Sequence, residues 1–110
     1  RRVLFRSNNY SRAVAVVEKY VEKDKRNKYA FYIGGASYYQ MMDYDNAVEF
    51  FDRALAIDSN FSNALFAQGM AYKKKGDMEN AVRTFERVVN IDPDNKMALF
   101  ELKEVREGKK

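Results

Sequence analysis

A 34-residue period constrains this chain more than any other property. Setting Lys28–Phe61 above Ser62–Asn95 gives eleven identities in 34 positions without a gap. They are Ala30/Ala64, Gly35/Gly69, Tyr38/Tyr72, Asp43/Asp77, Asn46/Asn80, Ala47/Ala81, Val48/Val82, Phe51/Phe85, Arg53/Arg87, Ile57/Ile91 and Asp58/Asp92. The same offset carries Tyr10, Ala13, Val14 and Asp24 onto Tyr44, Ala47, Val48 and Asp58, and Ala64-Leu65-Phe66 onto Ala98-Leu99-Phe100. Periods of this length mark architectures in which each unit is too small to bury its own apolar face and must stack on its neighbours. The chain therefore divides into 1–27, the end of one repeat; 28–61 and 62–95, two complete repeats; and 96–110, a closing helix with a basic tail.

Each repeat reads as two helices. Leu65, Gly69 and Tyr72 fall at i, i+4 and i+7 on one helical face. Gly76-Asp77 then stops the helix, Gly at the position that favours left-handed backbone and Asp as the N-cap of the next helix. Ala81, Phe85 and Val88 mark a second face, and Asp92-Pro93 ends it, because a residue before proline avoids the helical region. Phe31, Gly35, Tyr38, Ala47, Phe51 and Ala54 repeat the plan. Nothing shows the two-residue alternation of strands. The small residues Gly35, Gly69, Ala47 and Ala81 stand where helices approach closely, and Tyr38, Tyr72, Phe51 and Phe85 fill the space between them.

At these residues the chain resembles the tetratricopeptide repeat family, whose pattern is a large residue, Gly four later, Tyr three after that, then Ala, Phe and a closing Pro. Leu65, Gly69, Tyr72, Ala81, Phe85 and Pro93 match it, as do Phe31, Gly35, Tyr38, Ala47 and Phe51, with Ser59 in the place of Pro. Gly34 and Gln68 replace the family's usual Leu, which predicts weaker packing on that face. The resemblance implies an all-α, right-handed superhelix of antiparallel helix pairs. The segment 1–27 is then expected to hold a first helix cut to about seven residues, with Val3 and Leu4 in it, followed by a complete second helix. The start at Arg1, inside a repeat, leads us to expect a parent protein that continues upstream. Lys103 and Arg106 stand where the family has Gly and Tyr, which predicts a solvated cap over roughly Met97–Glu107.

Composition narrows the chemistry. There is no Cys and no His, which removes disulfides, thiolate nucleophiles and the commonest general base and metal ligand. Asp43/Asp45 and Asp92/Asp94 fall at helix ends, where Asp caps; Gly34-Gly35 lacks the context of a phosphate loop. Asn9-Tyr10-Ser11 and Asn60-Phe61-Ser62 match a glycosylation sequon, which we read as silent. No enzymatic activity, cofactor or metal is expected. The net charge of +4 is carried by the ends: +5 in 1–27, −3 in 28–61, zero in 62–95 and +2 in 96–110. A nucleic-acid binder would show a continuous basic face, so none is expected; nor is a membrane span, for want of an apolar run of about 20 residues. A cytoplasmic location is the default expectation.

In proteins of the family that the chain resembles, the first helices of the pairs line a concave groove that takes peptide segments of a partner. The corresponding residues here are Tyr29, Tyr32, Ile33, Ala36, Tyr39, Asn63, Phe66, Ala67, Met70, Lys73, Met97, Phe100 and Glu101, with Glu104 beside them. Aromatic side chains dominate interface energies and Met adapts to varied partners, so the expected partner has apolar or aromatic anchors. Some of these aromatics belong to the core on the alternative reading, since helix-spaced aromatics commonly pack inward. Certain members grip the acidic C-terminus of chaperones with Lys, Asn, Asn, Lys and Arg. The positions that correspond here are Tyr32, Ala36, Ala67, Met97 and Glu101, none of which matches, so no such grip is expected. Lys73 and Lys74 at the groove edge could add a preference for acidic partners. Two other readings stay open. One is self-association, even a homodimer, through an apolar face around Leu4, Val14 and Val17 bared at the N-terminal end, with Phe50 projecting outward. The other is a regulatory module of a larger protein.

Overall fold

The computed structural model describes residues 2–108, with side chains from Asn9 onward. Six helices follow one another: α1 (Arg2–Lys23), α2 (Lys28–Gln40), α3 (Tyr44–Ile57), α4 (Ser62–Lys75), α5 (Met78–Ile91) and α6 (Lys96–Arg106). None of them is long and apolar enough to cross a membrane, among the described residues. The helices fall into two compact units, Arg1–Ser59 and Asn60–Lys110.

Short side chains set the helix boundaries. Asn27 caps α2, its Oδ1 accepting the amides of Tyr29 and Ala30 at 3.0 and 3.1 Å. Asp43 caps α3 and Asp77 caps α5, each accepting an amide 3.3 Å away, from Asn46 and Asn80 respectively. Those asparagines donate back through Nδ2 at 2.8 Å in both places, so each cap is a closed two-bond ring repeated 34 residues apart. Asn95 caps α6 through the amide of Ala98, 3.0 Å away. Helix α4 ends on Gly76 at φ 86°, the left-handed turn that only glycine adopts without steric cost.

In the first unit α2 packs on both α1 and α3. Phe51, Ala47 and Ala54 are completely buried, and the Phe51 ring lies against Gly35. A methyl on Gly35 would come within 2.5 Å of that ring. In the second unit α5 is central, packing on α4 and α6, with Phe85, Ala81, Val88 and Leu65 buried at its core. Gly69 meets Phe85 as Gly35 meets Phe51, with 2.6 Å from an added Cβ to the ring. The small residues thus receive an aromatic ring from the paired helix.

Several expectations need correction. Residues 1–27 do not break into a short helix and a second one: α1 runs without interruption from Arg2 to Lys23. Its segment contains neither Gly nor Pro to stop it. Val14 and Val17 are not bared but buried at 6% and 7% exposure. The side chains of Val3 and Leu4 lie outside the described residues. Phe50 does not project outward; it is buried, edge-on to Phe31 at 6.1 Å and to Tyr38 at 5.2 Å. Nor does Gly34 weaken its face, because Phe50 fills the room: a Cβ on Gly34 would stand 2.5 Å from the Phe50 ring and 3.1 Å from Val17. The second repeat inverts these sizes, with Gln68 and Thr84 at the positions of Gly34 and Phe50. Both are buried, and Thr84 Oγ1 donates to the Asn80 carbonyl at 2.8 Å. No buried side-chain polar atom is without a partner among the described residues.

Candidate functional site

Capping by Asn27 fixes where α2 begins and hence which side chains share a face. Tyr29, Tyr32, Ile33 and Ala36 recur at helical spacing, opposite the buried Ala30, Phe31, Gly34 and Gly35. Tyr29 and Ile33 are the open members, 60% and 51% exposed. Tyr32 is half-buried, its ring 5.9 Å from that of Phe51. Tyr39 is also half-buried and lies edge-on to Tyr44 at 5.5 Å. Ring pairs of this kind contribute about 0.5–1.5 kcal/mol beyond area burial, so Tyr32 and Tyr39 serve the fold as well as the surface.

In the second unit the same spacing puts Phe66, Met70 and Lys73 on one face of α4, and Met97, Phe100, Glu101 and Glu104 on one face of α6. Phe66 packs edge-on against Phe85 at 5.6 Å, and Phe66 and Met70 are half-buried on the core formed by Ala81, Phe85, Leu102 and Val105. Asn63 is exposed and Ala67 half-buried. Met97 and Phe100 stand open at 66% and 59% exposure. Between the two faces, Lys73 Nζ donates to Glu101 Oε1 at 2.7 Å, with side-chain exposures of only 15% and 14%. A concavity of about 370 Å³ adjoins this pair, lined by Met70, Lys73, Lys74, Lys75 and Gly76. Sequence reasoning placed both Lys73 and Glu101 among the lining residues but missed that they bind each other. Their spacing of 28 is not the repeat period, so no repeat pattern marks the pair.

A larger cleft of about 780 Å³ lies in the first unit, lined by residues of α1, α2 and α3 that include Glu18, Val21, Tyr38, Glu49, Phe50 and Arg53. None of the sequence-predicted residues lines it. Arg53 pairs with Glu49 at 3.1 Å and lies over the rings of Phe50 and Phe31, 5.3 and 5.9 Å from their centres. Tyr38 Oη donates to Glu18 Oε2 at 3.3 Å. Burial, reinforced by the Glu18 charge, pushes the Tyr38 hydroxyl above its ordinary value. At the end of the same unit Lys28 is held to Asp58, and that hydrogen bond raises the lysine above its ordinary value. The described residues contain no group of three His, Cys, Asp or Glu able to hold a metal ion.

Antiparallel helix pairs, capped at a fixed period and seated glycine-to-phenylalanine, define a helical repeat protein. Profiles of the tetratricopeptide repeat match residues 62–95 and 30–61, together more than half of the chain, and the chain belongs to the tetratricopeptide repeat family. Comparison with curated proteins gives no match. Among solved structures, the second tetratricopeptide domain of human RPAP3, in complex with the HSP70 peptide SGPTIEEVD, is similar at 25% identity and a TM-score of 0.85, over 93% of this chain and 85% of that one. The first such domain of Spaghetti (RPAP3), bound to the HSP90 peptide SRMEEVD, is similar at 22% identity and a TM-score of 0.87, over 94% and 82%. MamA is similar at 23% identity and a TM-score of 0.84, over 86% of this chain and 56% of that one.

Proposed function

We propose that this chain is a protein-interaction scaffold whose first helices, α2 in one unit and α4 and α6 in the other, each present apolar anchors to a partner segment. The observation that carries the reading is the set of large apolar side chains left open, Tyr29 and Ile33 on the face of α2 opposite its buried residues, and Met97 and Phe100 on α6, where Leu99 is exposed as well. Aromatic side chains are enriched among the few residues that carry most of an interface's energy, and Met adapts to varied partners. Two similar solved domains bind peptides, which supports the class of partner. Both of those peptides end in acidic residues, whereas Tyr32, Ala36, Ala67, Met97 and Glu101 offer no cation to a terminal carboxylate. The preferred partner is accordingly apolar, not an acidic chaperone tail.

The anchors worth testing are the open ones. Truncating Tyr32 or Phe66 would also loosen the core through Phe51 and Phe85. Peptides selected from a random library on this chain should bind in a titration. Tyr29→Ala, Ile33→Ala and Phe100→Ala should each weaken them by about 1–3 kcal/mol with little change in melting temperature. Retention of full affinity by all three variants would remove these faces from the binding site.

A further inference from the structure

We propose that Glu101 is a built-in occupant of Lys73 and sets the specificity of the α4 and α6 faces against acidic partners; this rests on the scaffold reading above. Lys73 is the cation that α4 presents on the same face as Phe66 and Met70, toward α6. Its ammonium is already held at 2.7 Å by a carboxylate, and both side chains are largely withdrawn from water. A charge-assisted hydrogen bond in such a setting is short and strong. An incoming carboxylate can reach Lys73 only by displacing Glu101, which would leave that side chain shielded from solvent without its cation. Stranding one member of a withdrawn pair costs more than an exposed pair gains. Lys74 and Lys75 line the adjoining concavity but are exposed, where a pairing contributes little. The pair therefore presents a neutralised patch on the face of α6 that also carries the open apolar residues Met97 and Phe100. The occupant that fits is an uncharged apolar segment.

The test uses fluorescein-labelled SRMEEVD as the acidic probe and, with the same label, C-terminally amidated SRMQQVN, which has no peptide carboxylate, as the neutral one. The wild-type chain should bind the acidic probe no better than the neutral one. Glu101→Gln frees Lys73 and should tighten the acidic probe roughly tenfold relative to the neutral probe at low salt. Glu101→Met, which frees the lysine while keeping an unbranched side chain of similar reach, provides a second route to the same gain if the Gln variant folds poorly. Adding Lys73→Met to either should abolish the gain. The reversed pair, Lys73→Glu with Glu101→Lys, keeps the bridge and should show none. An acidic probe that binds Glu101→Gln and Glu101→Met no tighter than wild type overturns the proposal, as does a gain that survives Lys73→Met. The library-selected peptides separate this from the scaffold reading. If they bind wild type and lose affinity on Phe100→Ala while the acidic probe gains nothing from Glu101→Gln, only the masking role is wrong.

Discussion

Met42 shows what a single residue costs when the backbone asks for glycine. Its φ of 61° places it in the left-handed region, and its side chain is 73% exposed, so no packing compensates. The equivalent position one repeat later is Gly76, at φ 86°. Left-handed backbone costs a non-glycine residue roughly 1–2 kcal/mol, against about 0.5–1 kcal/mol of extra chain entropy that glycine loses on folding. Met42→Gly should therefore stabilise the chain by about 0.5–1 kcal/mol, read as a higher midpoint in urea. Asp77 gives a second residue-scale expectation. Its hydrogen bonds from Asn80 hold the carboxyl below its ordinary value. A depressed carboxyl stabilises the folded state above the ordinary carboxylate range, and that contribution is lost as pH falls through the depressed value. Asp77→Ala should thus cost about 1 kcal/mol at neutral pH, and the gap from wild type should close in strong acid. Thermal melts of both proteins across that range would show it; a gap independent of pH would mean the cap acts without its charge.

At the scale of helix pairs, the size inversion between repeats is the informative feature. Gly34 with Phe50 and Gln68 with Thr84 fill the same two positions in opposite proportions. Gly34→Gln alone drives a side chain into the Phe50 ring and should cost about 1–3 kcal/mol. Phe50→Thr alone leaves a void and should cost about 3–5 kcal/mol. Together they recreate the other repeat's pairing, so the double variant should be less destabilised than the sum by about 1–3 kcal/mol in a denaturant cycle. Strict additivity would mean that the two positions do not sense each other. The sequence contained this signal: both positions depart from the repeat identities, and they do so together. Reading each departure alone turned Gly34 into a weakness and Phe50 into a surface residue. The helix pairs, the Asp77 cap, the Gly76 stop and the close approach at Gly35 and Gly69 were legible, because each rests on a local rule about backbone or volume. The unbroken α1 was legible too, in the lack of any Gly or Pro before Lys28, but the family pattern argued for a break.

Over the whole molecule, each unit carries its own core, around Phe51 and Ala54 in one and Phe85 and Val88 in the other. Amide exchange should therefore show two maxima of protection, on α3 and α5, with faster exchange toward the exposed end of α6. A single maximum confined to one unit would contradict that distribution. The candidate site was legible at this scale only in part. The 34-residue period assigns which helix carries the face, because cap and stop fix its phase. The period does not say which aromatics on that face are spent on the core, since Tyr32 and Tyr29 look alike in the chain and differ only in whether Phe51 lies within reach. Likewise, a bond between Lys73 and Glu101 crosses helices that no short-range rule relates.

Copies of one module in a single chain run a hazard of their own: a helix can dock on its sibling's mate. Here the bulky ring of Phe50 has a seat only against Gly34, and against Gln68 it would find the space taken. The opposite exchange would leave a hole beside Thr84. The contrast in volume works as a key that identifies each helix to its proper partner, so that near-duplication of sequence does not become confusion during folding.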